Sequence, residues 1–366
     1  MSLGSANFFA SLIGGLFWLY IAKILDKTEY GEIGYLISFA TLAGGLCIMG
    51  FGTLIVVYEP KKENVFPASY VIVVIASAIA AVIAFIFVQN IIISFLVMGM
   101  ASFEIILQGI LAKKQYKKFS KNIILRQMVS IGLAIFFFQI WGINGILFGY
   151  FLGTLIAFAE LYPLLKNKKI EFSILRPKIR FILETFSLKI SNIVFRRGDK
   201  LLVGALFGFT LLGSYFFAAQ YILLLYNFPK TITQYLIPQE AEGKKNKKFK
   251  LVAILVACIV ALISIVGISY GIDIFFPKFT ETIILIQIMS ISIIPLTISQ
   301  IQIIEYLGKG NSRMVLIANI FHVTLYLLLI IVLGESFGLL GIAFAFLIPS
   351  SLKPIFILIM KSRISS

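Results

Sequence analysis

Apolar stretches of about twenty residues recur from one end of this 366-residue chain to the other, each long enough to cross a hydrocarbon layer ~30 Å thick. No soluble core needs so many, and within lipid a helix is the simplest way to satisfy every backbone N–H and C=O. Twelve spans are read, near 6–24, 34–58, 67–89, 91–112, 123–140, 144–165, 181–207, 210–238, 251–272, 280–306, 313–333 and 337–360. The fold class is therefore an all-α polytopic membrane protein with about 12 transmembrane helices. The first run, from Ala6 to about Ile24, has no basic segment before it and is expected to span rather than to be cleaved.

Lysine and arginine set the orientation. Connections after even-numbered spans, with the C-terminal tail, hold 22 of them, among them Lys113, Lys114, Lys166, Lys168 and Lys248; the opposite side holds Lys23, Lys27 and Lys278. That bias places the even connections and both termini in the cytoplasm, with the chain in the cell membrane. The net charge of +16 sits in these short connections, so it reports topology and not a nucleic-acid partner. Cys47 and Cys258 fall inside apolar runs and there is one histidine, so no metal or other cofactor is indicated. A phosphate-binding lysine loop, a His/Glu metal motif and Gly-x-Ser-x-Gly are all missing, which argues against an enzyme.

One span defies its surroundings. Phe181–Gly208 carries Glu184, Lys189, Arg196, Arg197, Asp199 and Lys200 among fourteen Leu, Ile, Val and Phe residues. Those apolar side chains favour insertion by about 6 kcal/mol in all, whereas six ionised groups cost up to roughly 18. It crosses only if its charges face protein or water. Lys189, Asn192, Arg196 and Asp199/Lys200 follow at three- and four-residue steps and form one stripe on a helix. The stripe either lines a cavity as a substrate-binding surface or closes on itself, with Arg196 pairing Asp199. Elsewhere, Glu104 lies deep in the fourth span as a coupling group or a partner for a lysine, and Lys353 sits between Pro349 and Pro354. His322 reads as a packed histidine, Arg126 and Glu160 as interfacial residues, and Pro295 as a helix break.

A repeat divides the chain. Gly142-Ile-Asn-Gly145 and Gly338-Leu-Leu-Gly341 precede the sixth and twelfth spans at an offset of 196, and Tyr30-Gly31 matches Leu212-Gly213 at 182. Two six-helix lobes are expected, 1–165 and 181–366, joined by a cytoplasmic loop at 166–180 and related by a pseudo-two-fold axis along the membrane normal. At the second offset Arg196 and Arg197 match Gly14 and Gly15, so a cavity between lobes would be basic mainly on its C-terminal wall.

Ala22-Lys-Ile-Leu-Asp-Lys-Thr-Glu-Tyr-Gly31-Glu-Ile-Gly-Tyr resembles the start of the second helix in polysaccharide (O-antigen type) flippases of the multidrug/oligosaccharidyl-lipid/polysaccharide exporter superfamily. Gly198-Asp199-Lys-Leu-Leu-Val-Gly204, then Leu212-Gly213-Ser-Tyr215 and Tyr235-Leu-Ile-Pro238, are similar to that family's seventh and eighth helices. The resemblance implies alternating access and a polyprenyl phosphate- or pyrophosphate-linked oligosaccharide moved to the outer leaflet during surface polysaccharide assembly. It also implies Lys189, Arg196, Arg197 and Lys200 on the anionic head, membrane lipids and glycan-assembly enzymes as partners, and a monomer. Without the two additional C-terminal helices of lipid II flippases, a peptidoglycan precursor is disfavoured as cargo. The competing reading is a cation-coupled drug or metabolite antiporter of the same superfamily, though such proteins favour acidic cavities.

The orientation is directly testable. Single cysteines placed at Lys114 or Lys248 should react with an impermeant maleimide only after the cytoplasmic face is opened, and one at Lys278 should react in intact cells.

Overall fold

The computed structural model describes residues 3–234, 236, 246–308 and 311–364, without side chains at 3–7, 188, 191, 192, 195, 234, 312 and 361–364. The side chain of Asn192, residues Tyr235, Ile237 and Pro238, and Lys244, Lys245 and Lys309 lie outside the described set, as do the side chains of Lys361 and Arg363. Among the described residues all regular structure is helical.

Eight helices are long and apolar enough to cross a bilayer. Two of these are hinged pairs, one further span is a pair bent by 49°, and Phe8–Ile24 is a shorter apolar helix, which brings the count among described residues to twelve. We number them α1 (Leu3–Ile24), α2 (Lys27–Cys47 bent into Phe51–Tyr58), α3 (Phe66–Val88), α4 (Ile91–Ala112), α5 (Tyr116–Trp141) and α6 (Ile143–Leu165). The helix Ile179–Gln234 gives α7 (179–207) and α8 (209–234), either side of Gly208. Then come α9 (Lys247–Phe275), α10 (Thr282–Gly308), and α11 (312–337) and α12 (339–364), the two arms of Ser312–Ile364.

Glycine makes the hinges. Gly208 (φ 81°) and Gly338 (φ 56°) adopt backbone angles that a side chain resists. Beyond them the chain folds back: the Phe321 and Phe356 rings stack with centroids 4.2 Å apart, where a straight helix would hold residues 35 apart at roughly 50 Å. Gly142 (φ 56°, ψ −133°) turns α5 into α6 with nearly the angles of Gly338 (φ 56°, ψ −130°). Gly145 closes on the carbonyl of Phe137, and Gly341 on that of Leu333, eight residues back in each case. The 196-residue repeat is thus also a repeat of geometry.

α10 breaks at Ser292, three residues before Pro295, whose ring excludes the carbonyl of residue 291 from helical geometry. Asp26 and Glu29 exchange side-chain-to-backbone bonds (2.8 and 3.2 Å), a reciprocal cap that starts α2. Asn90 caps α4 by accepting from Ile92 and Ile93.

The chain packs as two compact units, Met1–Gly14 with Tyr35–Gly198 and Gly15–Gly34 with Asp199–Ser366. In the first, Phe51, Leu54, Ile55, Phe66, Ile106 and Ile110 form the buried core, joined by Leu175 and Ile182. The second contains a seam between the turn around Lys27 and the turn around Phe209. Gly31 abuts the Phe209 carbonyl, Gly213 abuts the Lys27 carbonyl, and the hydroxyls of Thr28 and Thr210 meet at 2.8 Å. All three contacts obey the 182-residue offset. Beside the seam Lys27 pairs with Glu281 at 3.0 Å, and the Ser214 hydroxyl donates to the same carboxylate at 2.5 Å. Partial burial opposes ionisation of Glu281, but these two donors and the lysine charge hold it below the usual carboxylate range.

Two outcomes follow for thermal unfolding of the detergent-solubilised protein. Gly213→Ala should lose about 1–3 kcal/mol or more, because its methyl would overlap backbone that cannot swing aside. Gly267→Ala, with nothing within 4 Å, should be neutral or stabilising by up to about 1 kcal/mol. Because the Glu281 carboxyl is depressed in the fold, its contribution is present above the unfolded carboxylate's pKa and is lost as the pH falls through the folded value. Glu281→Gln should remove that part of the acid sensitivity.

Candidate functional site

The charged residues of α7 divide between the two units at Gly198. Lys189 and Arg197 belong to the first unit, half-buried, with Arg196 exposed; Asp199 (4% exposed) and Lys200 (8%) belong to the second.

In the first unit a set of polar groups converges from four helices. Glu104 on α4 accepts from Gln108 at 2.9 Å and lies within electrostatic reach of Lys189 on α7 and Arg126 on α5. The Arg126 guanidinium lies over the Phe103 ring, 4.6 Å from its centroid. Tyr150 on α6 hydrogen-bonds Gln127 and interacts with the charges of Arg126 and Arg197. Gly52 gives Lys189 its room: the ammonium stands 3.7 Å from where a Cβ on that glycine would be. Two cations, Lys189 and Arg126, thus share the Glu104 carboxylate, and Arg197 adds a third positive charge beside Tyr150, a balance that suits an anion bearing more than one charge. The α5 helix begins at Tyr116, ahead of the apolar run that starts near 123, so Arg126 lies about 15 Å along the helix. Glu160 is partly buried and pairs with Lys118 at 3.1 Å.

In the second unit Asp199 is the centre. Its Oδ2 accepts from Tyr215 and from Lys200 at 2.7 Å, with the Tyr326 hydroxyl at 3.4 Å. The two tyrosine hydroxyls are 2.6 Å apart. A phenol has one proton, so if Tyr215 gives its own to the carboxylate, Tyr326 donates to Tyr215. The other carboxylate oxygen, Oδ1, is buried without a hydrogen bond. Tyr326 stacks on His322 (16°, 6.4 Å), and Lys353 donates to Asn319 at 2.9 Å while its charge acts on His322. His322 is packed, 2% exposed. The structure therefore joins Asp199 and Lys200 to Tyr215 and Tyr326, and joins Lys189 and Arg197 to Glu104, Arg126 and Tyr150. Among the described residues no group of three or more His, Cys, Asp or Glu is arranged to hold a metal.

The comparisons with known proteins fit these helices. A family model described as "Polysaccharide biosynthesis protein" matches residues 20–266. The chain belongs to that family. No curated protein sequence matches it. Among solved structures, the lipid II flippase MurJ in an inward closed conformation is similar with a TM-score of 0.78 at 15% identity, covering 98% of this chain and 87% of that one. A multidrug resistance transporter of the MATE family, of the MOP superfamily, gives 0.66 in its inward-facing conformation (15% identity, 100% and 95% covered). Its outward-facing conformation gives 0.59 (15%, 99% and 95%). The family member described here thus has the fold of multi-pass membrane transporters: twelve helices in two six-helix lobes.

Removing the Tyr215 hydroxyl tests the second cluster. Tyr215→Phe should lower stability by about 1–3 kcal/mol in a thermal melt, since it strips a donor from a buried carboxylate. Combined with Asp199→Asn, the loss should fall short of the sum of the two single losses; strict additivity would mean the groups do not act together.

Proposed function

We infer that this protein is a transporter, not an enzyme, that flips a polyprenyl-(pyro)phosphate-linked oligosaccharide from the cytoplasmic to the outer leaflet of the cell membrane for surface glycan assembly. Alternating access of two lobes, 1–165 and 181–366, carries the head group across while the isoprenoid tail stays in lipid. The observation that carries this reading is the gathering of Arg126, Lys189 and Arg197 around Glu104 and Tyr150, with one carboxylate among three cations, inside a member of a polysaccharide biosynthesis family. Arginine meets a phosphate with two parallel hydrogen bonds, and such bonds gain strength where water is scarce.

In this reading Lys189, Arg196 and Arg197, with Arg126, hold the phosphates. Asn192, Asp199 and Lys200 are the other binding candidates in the same charged stretch of sequence. Glu104 is the coupling group, since a proton on it frees Lys189 and Arg126 from their shared counter-charge and tightens the grip on the anion. Lys353 contributes positive charge on α12. The working form is a monomer with both termini cytoplasmic, alongside the enzymes that build the glycan. The likeness to a multidrug transporter supports a second reading, cation-coupled export of a drug or metabolite.

Proteoliposomes loaded with a labelled polyprenyl-linked oligosaccharide separate the two. The wild type should translocate the lipid, and Arg126→Ala/Arg197→Ala should reduce the rate at least tenfold at unchanged membrane insertion. Glu104→Gln should keep head-group binding and lose the response to an imposed pH gradient. Uptake of a soluble cation with no lipid movement would favour the second reading.

A further inference from the structure

The connections of the first unit that are read as cytoplasmic line an open cavity of about 480 Å³ that the transport reading does not use. Lys62 and Asn64 reach it from the α2–α3 connection, Lys113 and Lys114 from the α4–α5 connection, and Lys168 from the segment after α6, with Glu59 as the acidic member. Four lysines against one glutamate leave the lining at +3.

That glutamate is already engaged. Its carboxylate takes an ion pair from Lys168 and a hydrogen bond from the Phe66 amide at 3.0 Å. Lys113 donates to the Pro163 carbonyl at 2.9 Å. Partial burial, with the charges of Lys168 and Lys118 against those of Glu59 and Glu160, holds the Lys113 ammonium below the usual lysine range. Lys62 and Lys114 are exposed and make no ion pair among the described residues. Both sit at left-handed backbone positions (φ 64° and 57°) where their helices end. Orientation requires lysines on this face, but not that they surround one cavity. A further anion would be drawn there by uncompensated charge, and it would bridge three connections that α-helical hydrogen bonding leaves separate.

We propose that this cavity binds the phosphate-bearing head group of an anionic membrane lipid from the cytoplasmic leaflet. Basic pockets at the membrane surface attract such head groups, and this one lies where helices read as membrane spans end. The bound head group braces the segment after α6 against the α2–α3 connection, beside the contacts that already fasten it: Lys178 to Glu63 at 2.5 Å, and Asn64 to the Lys169 carbonyl at 3.0 Å. The inference goes beyond cargo movement and does not rest on it.

The test is the thermal midpoint of the purified full chain in detergent, with added phosphatidylglycerol, phosphatidylcholine or inorganic phosphate. Phosphatidylglycerol should raise the midpoint of the wild type by several degrees, and phosphatidylcholine should not. Lys62→Gln/Lys114→Gln should lose most of that shift, while Lys117→Gln/Lys121→Gln, on α5 outside the cavity lining, should keep it. Equal shifts in both double variants would overturn the proposal. A shift given equally by inorganic phosphate, and lost only in Lys62→Gln/Lys114→Gln, would overturn the lipid as the source and leave a phosphate site.

Discussion

Hydrocarbon offers a charged side chain nothing to bond with, so every ionised group within the bilayer must be answered by the protein or by water. The arrangement of α7 depends on that constraint. This helix carries a density of charge that lipid would reject, and it is accommodated because each buried charge finds partners on other helices: Lys189 at Glu104, Arg197 at Tyr150, Asp199 at Tyr215 and Tyr326. Such groups cost stability, and removing one partner costs more than removing the pair. Where they persist, function is the natural reason.

The general architecture was legible because it follows from local rules. Hydropathy located the spans, positive φ was foreseeable at Gly142 and Gly338 from the Gly-x-x-Gly pattern, and Pro295 marked the break in α10. The charge of α7 was visible for the same reason, since it belongs to one segment. Its partners were not. Tyr215 and Tyr326 are 111 residues apart and meet only because α9 and α10, which lie between them in the chain, return α11 to α8. The start of α5 was set late because its apolar run begins after the helix does: Tyr116–Lys121 is helical, yet too polar to count as span.

A fold shared by a lipid II flippase and a multidrug transporter does not choose a cargo. The choice lies with side chains, and here the balance is cationic in the first unit. Arg126 and Lys189 share Glu104, and Arg197 adds its charge beside Tyr150, a local excess of positive charge.

The seam in the second unit has one more consequence. Thr28 meets Thr210, its own counterpart at the 182-residue offset, and the contact of Gly31 with Phe209 returns as that of Gly213 with Lys27. Self-matching on an axis with reciprocal exchange on either side is the pattern of an isologous dimer interface. Here it lies within a single chain. The seam thus has the symmetry of a homodimer contact within one polypeptide, and the glycines on both sides leave neither repeat room for a side chain there without displacing the other's backbone.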